Sequence, residues 1–226
     1  MIALAFAALV AAQSPDPIQA RIELVLKATA WGRSAKGKAY AGELASRIRI
    51  ESSRRVLDAT ALTAISDVEA NFFPWARGKG IGGRHHELGP FQLIRGDTYV
   101  VEAGKRLAGC APSAKLAKHL RPWWEKRRTD EGNTCEDQAV ADRRVYHGDW
   151  QAMEFSDPWL STYIAAYEIS KHLEKARERS GWPVKVPKEC DGLPVEVPRY
   201  AVFNAPGRPR VWYSKRVCQR YRAISR

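Results

Sequence analysis

Apolar residues recur three and four apart along most of this chain, the spacing that turns one side of a helix toward a core. Ile18 to Ala30 (IQARIELVLKATA) has this period and stops short of Gly32. Gly37 to Gly42 reads as a break, and Glu43 to Ser53 as a second helix with a basic outer face. Asp58 is placed to cap a third helix running to Ala70, because a short acidic side chain accepts from the free amides of a first turn. A glycine-rich loop follows to Gly89, and a short hairpin fits within 78–93.

The helical period returns at Thr98–Ala108, Ala114–Lys126 and Cys135–Tyr146. Asp157-Pro158 is a strong helix start, a cap followed by proline in the first turn. The helix it opens extends to Arg179 and closes at Gly181. Four prolines between Trp182 and Pro198 predict a loop or linker. Arg199–Asn204 reads as a short helix or turn, and Arg210–Ile224 as a basic last helix. The pattern therefore predicts a mainly α fold with at most a small hairpin and no internal repeat.

The ends of the chain add to this picture. Ile2 to Ala12 is an apolar run followed by two prolines, too short to span a bilayer. With the small residues Val10 and Ala12 before a cut near Gln13, residues 1–12 read as a signal peptide. The run lacks a preceding Lys or Arg, and a first helix of the fold is the alternative. Residues 13–57 then hold the N-terminal helices, and 58–226 the main domain. Export fits the even cysteine count: Cys110, Cys135, Cys190 and Cys218 allow two disulfides in three pairings. Pairing of sequence neighbours, Cys110–Cys135 and Cys190–Cys218, is the expected arrangement. The 226 residues are 45% apolar and 27% charged, enough for a sizeable core. The net charge of +12 points to a polyanionic partner. For a cytosolic protein that would be nucleic acid; for an exported one it is an anionic wall or membrane surface.

Glu69 is the candidate for chemistry. Leu62, Ile65 and Glu69 share one face of the third helix. Since Leu62 and Ile65 face the core, Glu69 leaves on the apolar side near the negative helix end. Desolvation and the helix dipole both raise a carboxyl pKa. A Glu kept protonated near neutrality is what a general acid needs. Position alone favours a boundary Glu that swings into water, and the surrounding motifs change that weighing.

Glu69-Ala70 with Phe72, Pro74 and Ala76 comes first. Gly89-Pro90-Phe91-Gln92-Leu93 follows, and then Ala201-Val202-Phe203-Asn204-Ala205. In that order the segments resemble the three motifs of the soluble lytic transglycosylases, which share a fold with goose-type lysozyme. The resemblance spans about 58–211. It implies a lysozyme-like α+β fold, an active-site groove beside the hairpin, and peptidoglycan glycan strands as partner. It makes Glu69 the catalytic acid acting at the bond between N-acetylmuramic acid and N-acetylglucosamine. Gly89, Phe91, Gln92 and Asn204 become substrate-binding residues. No metal, no cofactor and no nucleic acid is expected, and the place of action is the periplasm or outside the cell.

The departures from the motifs matter. The serine after the catalytic Glu is Ala70 here, and the tyrosine before the Asn is Phe203. Tyr200 and Tyr167 are the candidates to replace the lost hydroxyl. Glu87 and Asp97 are candidate second acids, which a hydrolytic lysozyme would use to hold water. His85-His86-Glu87 looks like a metal cluster, but adjacent residues do not all face one ion. A noncatalytic glycan or polyanion binder remains a reading of a different class.

Overall fold

A computed structural model of the chain describes residues 16–79, 86–94, 97–108, 136–137, 139–140, 154–178, 186–203 and 210–226. Among these residues are seven α-helices and one small antiparallel sheet. The expected helices at Ala114–Lys126 and, for the most part, Cys135–Tyr146 lie outside the described residues.

Helix α1 spans Pro17–Leu26, opened by Asp16, whose side chain accepts from the Ile18 amide at 3.0 Å. It buries Ile18, Ile22 and Leu26. The expected continuation to Ala30 does not occur. Thr29 instead caps a separate short helix, α2 (Ala30–Arg33).

The expected break at Gly37–Gly42 is also corrected. Ser34 caps a long helix, α3 (Ala35–Arg55), which runs straight through both glycines. Gly37 answers a packing need: a Cβ there would stand 2.4 Å from the Trp31 carbonyl oxygen. The outer face of α3 is not uniformly basic either, since Arg47 and Glu51 are both buried.

Helix α4 (Ala59–Ala70) begins where expected, with the Asp58 side chain accepting from the Ala61 amide at 2.9 Å. It is buried on nearly every side. It ends through Asn71 and Phe72, both at positive φ (47° and 63°). A phenylalanine rarely adopts that backbone; here its ring is wholly buried, which offsets a cost of about 1 kcal/mol. The turn delivers the chain to the sheet: β1 (Arg77–Lys79), β2 (His86–Leu88) and β3 (Leu93–Ile94), in that order. Gly78 pairs with Glu87, and Leu88 with Leu93. The expected hairpin is thus present, extended by one strand.

Helix α5 (Thr98–Ala108) follows. Helix α6 (Pro158–Glu178) starts as predicted, Asp157 accepting from the amides of Trp159 (2.9 Å) and Leu160 (3.0 Å). It packs on α3 and α5. The proline-rich stretch is no linker in its described part, 186–203. It folds into 3-10 turns at Lys188–Cys190 and Val197–Phe203 and buries Val197, Tyr200 and Ala201. The Cys190–Cys218 disulfide ties it to the last helix, α7 (Val211–Ile224). That bridge is one of the two expected; Cys110 and Cys135 lie outside the described residues.

One apolar cluster includes Ile22 of α1, Leu44 of α3, Leu62 of α4, Ile164 of α6 and Val217 of α7. The N-terminal helices thus share a core with residues beyond 58. Among the described residues, no helix is long and apolar enough to cross a membrane.

Candidate functional site

Two helices make the site. Helices α4 and α7 run antiparallel, as their end contacts show. Near the end of α4, Glu69 accepts a hydrogen bond at Oε1 from the hydroxyl of Tyr213, in the first turn of α7. At the other end, Tyr221 donates to Asp58 Oδ2 at 2.9 Å. Between them Asp67 of α4, fully buried, pairs with Arg21 of α1 at 2.7 Å and with Arg220 of α7 at 3.4 Å. The disulfide and a bond from Ser214 Oγ to the Pro198 carbonyl (3.3 Å) hold α7 from its other side. Tyr213 is therefore fixed by its whole helix and is itself buried.

The carboxyl of Glu69 is partly buried, and its pKa is pushed up to about 7. Burial is the largest cause. The Tyr213 hydrogen bond favours the ionised form and opposes it; the negative charges of Glu87 and Glu168 add to the rise, and Arg216 opposes it. Near neutral pH the group is thus divided between acid and carboxylate, which suits proton transfer. Desolvation drives the shift, in the direction read from helix position.

The second component sits on the sheet. The register sets Glu87 across from Gly78. A Cβ on Gly78 would meet Glu87 Oε2 at 2.2 Å and Gln92 Oε1 at 2.4 Å. The acid and the amide therefore converge over the one strand position that lacks a side chain. Gln92 stands at positive φ (51°) and donates from Nε2 to the Gly89 carbonyl at 3.1 Å. Ser66 of α4 donates to the Pro90 carbonyl at 2.9 Å, which fastens this loop one turn before Glu69.

Other sequence candidates fall elsewhere. Gly89 is buried at positive φ, and a Cβ there would stand 2.0 Å from the Phe155 carbonyl oxygen, so the glycine serves close packing. Phe91 and Phe72 are core side chains. The Tyr200 hydroxyl accepts from the Asp58 amide, at the N-terminal end of α4. Eleven residues of helix, about 16 Å, separate that point from Glu69. Tyr167 donates to Glu102 (3.2 Å) and accepts from Arg106 (3.3 Å), between α5 and α6. Neither of these hydroxyls bonds to Glu69; that of Tyr213 does. Asp97 caps α5, accepting from the Tyr99 amide at 2.9 Å. Phe203 packs partly buried against the core, and Asn204 lies outside the described residues.

Sequence reasoning passed over Glu168 and Gly78, and it reads Tyr213, with Trp212 and Tyr221, only as part of a polyanion-binding helix and not as a partner of Glu69. Glu168 is buried on α6, its Oε1 3.6 Å from His172 Nε2, and burial raises its pKa. Tyr213 did carry a signal: it stands four residues before Val217, on the buried face of an otherwise basic helix. Beyond the acids, Trp75 packs edge-on at 4.7 Å against both Trp31 and Phe73 and stays 36% exposed, so an aromatic edge borders the turn after α4. Among the described residues, no group of three His, Cys, Asp or Glu side chains is placed to hold a metal ion. No protein-family model, no curated protein and no solved structure matches the chain.

Proposed function

We propose that this chain cleaves the glycan of peptidoglycan, with Glu69 as its proton donor, in the manner of the lytic transglycosylases its motifs resemble. The observation that carries the reading is the state of Glu69: a carboxyl pushed up to about 7 by burial, braced by Tyr213 and close enough to Glu87 to feel its charge. A structural carboxylate is normally matched by cations; this one is surrounded mainly by other acids.

Glu69 protonates the oxygen joining N-acetylmuramic acid to N-acetylglucosamine, and the bond from the muramyl C1 to that oxygen breaks. The N-acetyl oxygen of the same sugar steadies the cation that develops. Glu69, now a carboxylate, takes the proton of the C6 hydroxyl as that oxygen bonds to C1. The products are a 1,6-anhydromuramyl end and a free 4-hydroxyl on the departing sugar, with Glu69 protonated again. In this scheme Gln92 fixes the N-acetyl group from the loop that Ser66 fastens to α4.

A second reading has an observation of its own. Glu87 lies near Glu69 and meets Gln92 over Gly78, a place from which it could hold an attacking water. The protein would then be a hydrolase with two carboxylates. Digestion of purified sacculi followed by mass spectrometry separates the two: anhydro ends support the transglycosylase, reducing ends the hydrolase. Sacculi left intact by the wild type would overturn both and leave a noncatalytic binder. The reading places the protein outside the cytoplasm, where its substrate lies.

A further inference from the structure

Helix α7 carries Lys215, Arg216, Arg220 and Arg222. Three of them are engaged. Lys215 pairs with Glu189 at 2.9 Å and Arg220 with Asp67. Arg222 donates to the backbone carbonyls of Glu189 (3.0 Å) and Asp191. Arg216 is exposed, and among the described residues it makes no ion pair or hydrogen bond. It lies three residues beyond Tyr213, so its side chain leaves α7 beside the Tyr213–Glu69 contact. Trp212 is 48% exposed, stands edge-on to Tyr213 at 5.6 Å, and precedes Arg216 by four residues, a helical neighbour.

The cation needs a reason. It favours the ionised form of Glu69 and so works against a proton donor. The other charges acting on that carboxyl, Glu87 and Glu168, are acidic. A guanidinium with no ion pair or hydrogen bond among the described residues offers two parallel N–H groups to a carboxylate, and an exposed indole offers a flat apolar face. Together they match a sugar ring that bears an acid.

We propose that Trp212 and Arg216 form a subsite beside Glu69 for a carboxylate-bearing amino sugar, the guanidinium pairing with the carboxylate and the indole covering the sugar. The identity of the sugar polymer rests on the function proposed above. In peptidoglycan the carboxylate comes from the stem peptide or, once that is removed, from the lactyl ether of the muramyl ring. Chitin has neither.

The test is binding by calorimetry in a Glu69→Gln background, which consumes no probe. The probes are glycan chains with stem peptides, the same chains stripped by an amidase, and oligomers of N-acetylglucosamine. Arg216→Gln should weaken carboxylate-bearing chains about tenfold and leave the neutral oligomers unchanged. Arg216→Lys should restore part of the loss, and Trp212→Ala should weaken all three. A loss confined to stem-bearing chains assigns the peptide acid, and one confined to stripped chains assigns the lactyl group; a loss on both means either is accepted. Equal weakening on every probe, no weakening, or no binding at all overturns the subsite. Selective binding by a wild type that cuts no sacculi would keep the subsite and sink the proposed reaction. Cutting that ignores Arg216 would do the reverse.

Discussion

Two groups of buried charge stand in this molecule, and they are built on opposite plans. On α3, Arg47, Arg54 and Arg55 surround Glu51, and the same guanidiniums reach Glu136 and Asp137. Arg47 bonds to Glu51 and Asp137; Arg54 meets Asp137 at 2.6 Å and Glu51 at 3.0 Å; Arg55 meets Glu136 at 2.7 Å. Rings cover the cations, Trp159 over Arg47 at 5.1 Å and Tyr163 and Tyr167 over Arg55 at 5.0 Å. Burial pushes Asp137 up, but bonds from Arg47, the Val140 amide and Arg54 win and hold it below its ordinary value. Glu51, which burial pushes above the usual range, has three guanidiniums drawing it back. At Glu69 burial also wins, but the charges around it are of the other kind. One tyrosine hydroxyl and one exposed arginine oppose burial and two further acids, and the pKa rises. Matched charge holds segments together; unmatched charge keeps a proton available.

The contrast breaks most plainly at Glu69. Glu69→Gln keeps the shape and an acceptor for Tyr213 but has no proton to give. Glycan cleavage should fall by about 10²–10⁴-fold, read as clearing on a sacculus-containing gel and as release of soluble fragments. Clearing that survives the substitution removes Glu69 from the chemistry. In the α3 group the large effect is on stability. Arg47→Met leaves Glu51 and Asp137 short of a cation in a buried place, and removing one partner of such a group costs about 3–5 kcal/mol. Urea denaturation should show that loss in the midpoint. A loss under about 1 kcal/mol would mean that the group behaves as a surface pair and that the contrast is false.

The elements that carry the site were legible where the signal is local. Asp58 and Asp157 announce α4 and α6 because a cap and its helix are neighbours in sequence. Glu69 stood out for its place on an apolar face. What stayed hidden depends on distant partners. Arg47 and Glu51 look like an ordinary exposed pair four apart, and the Asp137 that completes them is 90 residues away. Gly37 and Gly42 look like a break until the turn of α2 is seen pressing on Gly37. The hydroxyl that serves Glu69 comes from 144 residues downstream. Tyr200 and Tyr167 were the nearer guesses by motif and by helix, yet both are spent on other contacts. Spacing reports which face a residue takes, not which residue meets it.

The same Glu69→Gln change sharpens the comparison through its pH dependence. The folded pKa of Glu69 lies at about 7, above the ordinary 4.5. Ionisation therefore favours the unfolded chain, and the cost accumulates as pH rises from the ordinary value to the folded one. At about 1.4 kcal/mol per unit, the full cost is on the order of 3 kcal/mol above neutrality. Glu69→Gln should be more stable than the wild type at about pH 8, with the advantage gone near pH 4. Asp137 has the opposite sign: its folded pKa is depressed, so its stabilisation is present above the ordinary value and lost as pH falls through the folded one. Paired denaturation curves at the two pH values measure the Glu69 slope, and a further series below pH 3.8 measures that of Asp137. A Glu69→Gln advantage that persists in acid would show that packing, not ionisation, is the source.

The smallest effect tests the single hydroxyl. Tyr213 donates to Glu69 and favours its ionised form, so it holds the pKa below the value that burial would set. Tyr213→Phe removes that restraint and keeps the ring. The pKa of Glu69 should rise, and the alkaline limb of the cleavage rate should move upward by about one pH unit or less, with a stability change of about 1 kcal/mol. Tyr163→Phe is the matching change in the α3 group, where the hydroxyl is buried close to Glu136, and it should leave the limb where it was. The two substitutions remove the same atom from the same kind of residue, so only the environment distinguishes them. If the limb stays put with Tyr213→Phe, or moves as far with Tyr163→Phe, then the hydroxyl does not set the proton of Glu69. The site would then owe its poise to burial and neighbouring acids alone.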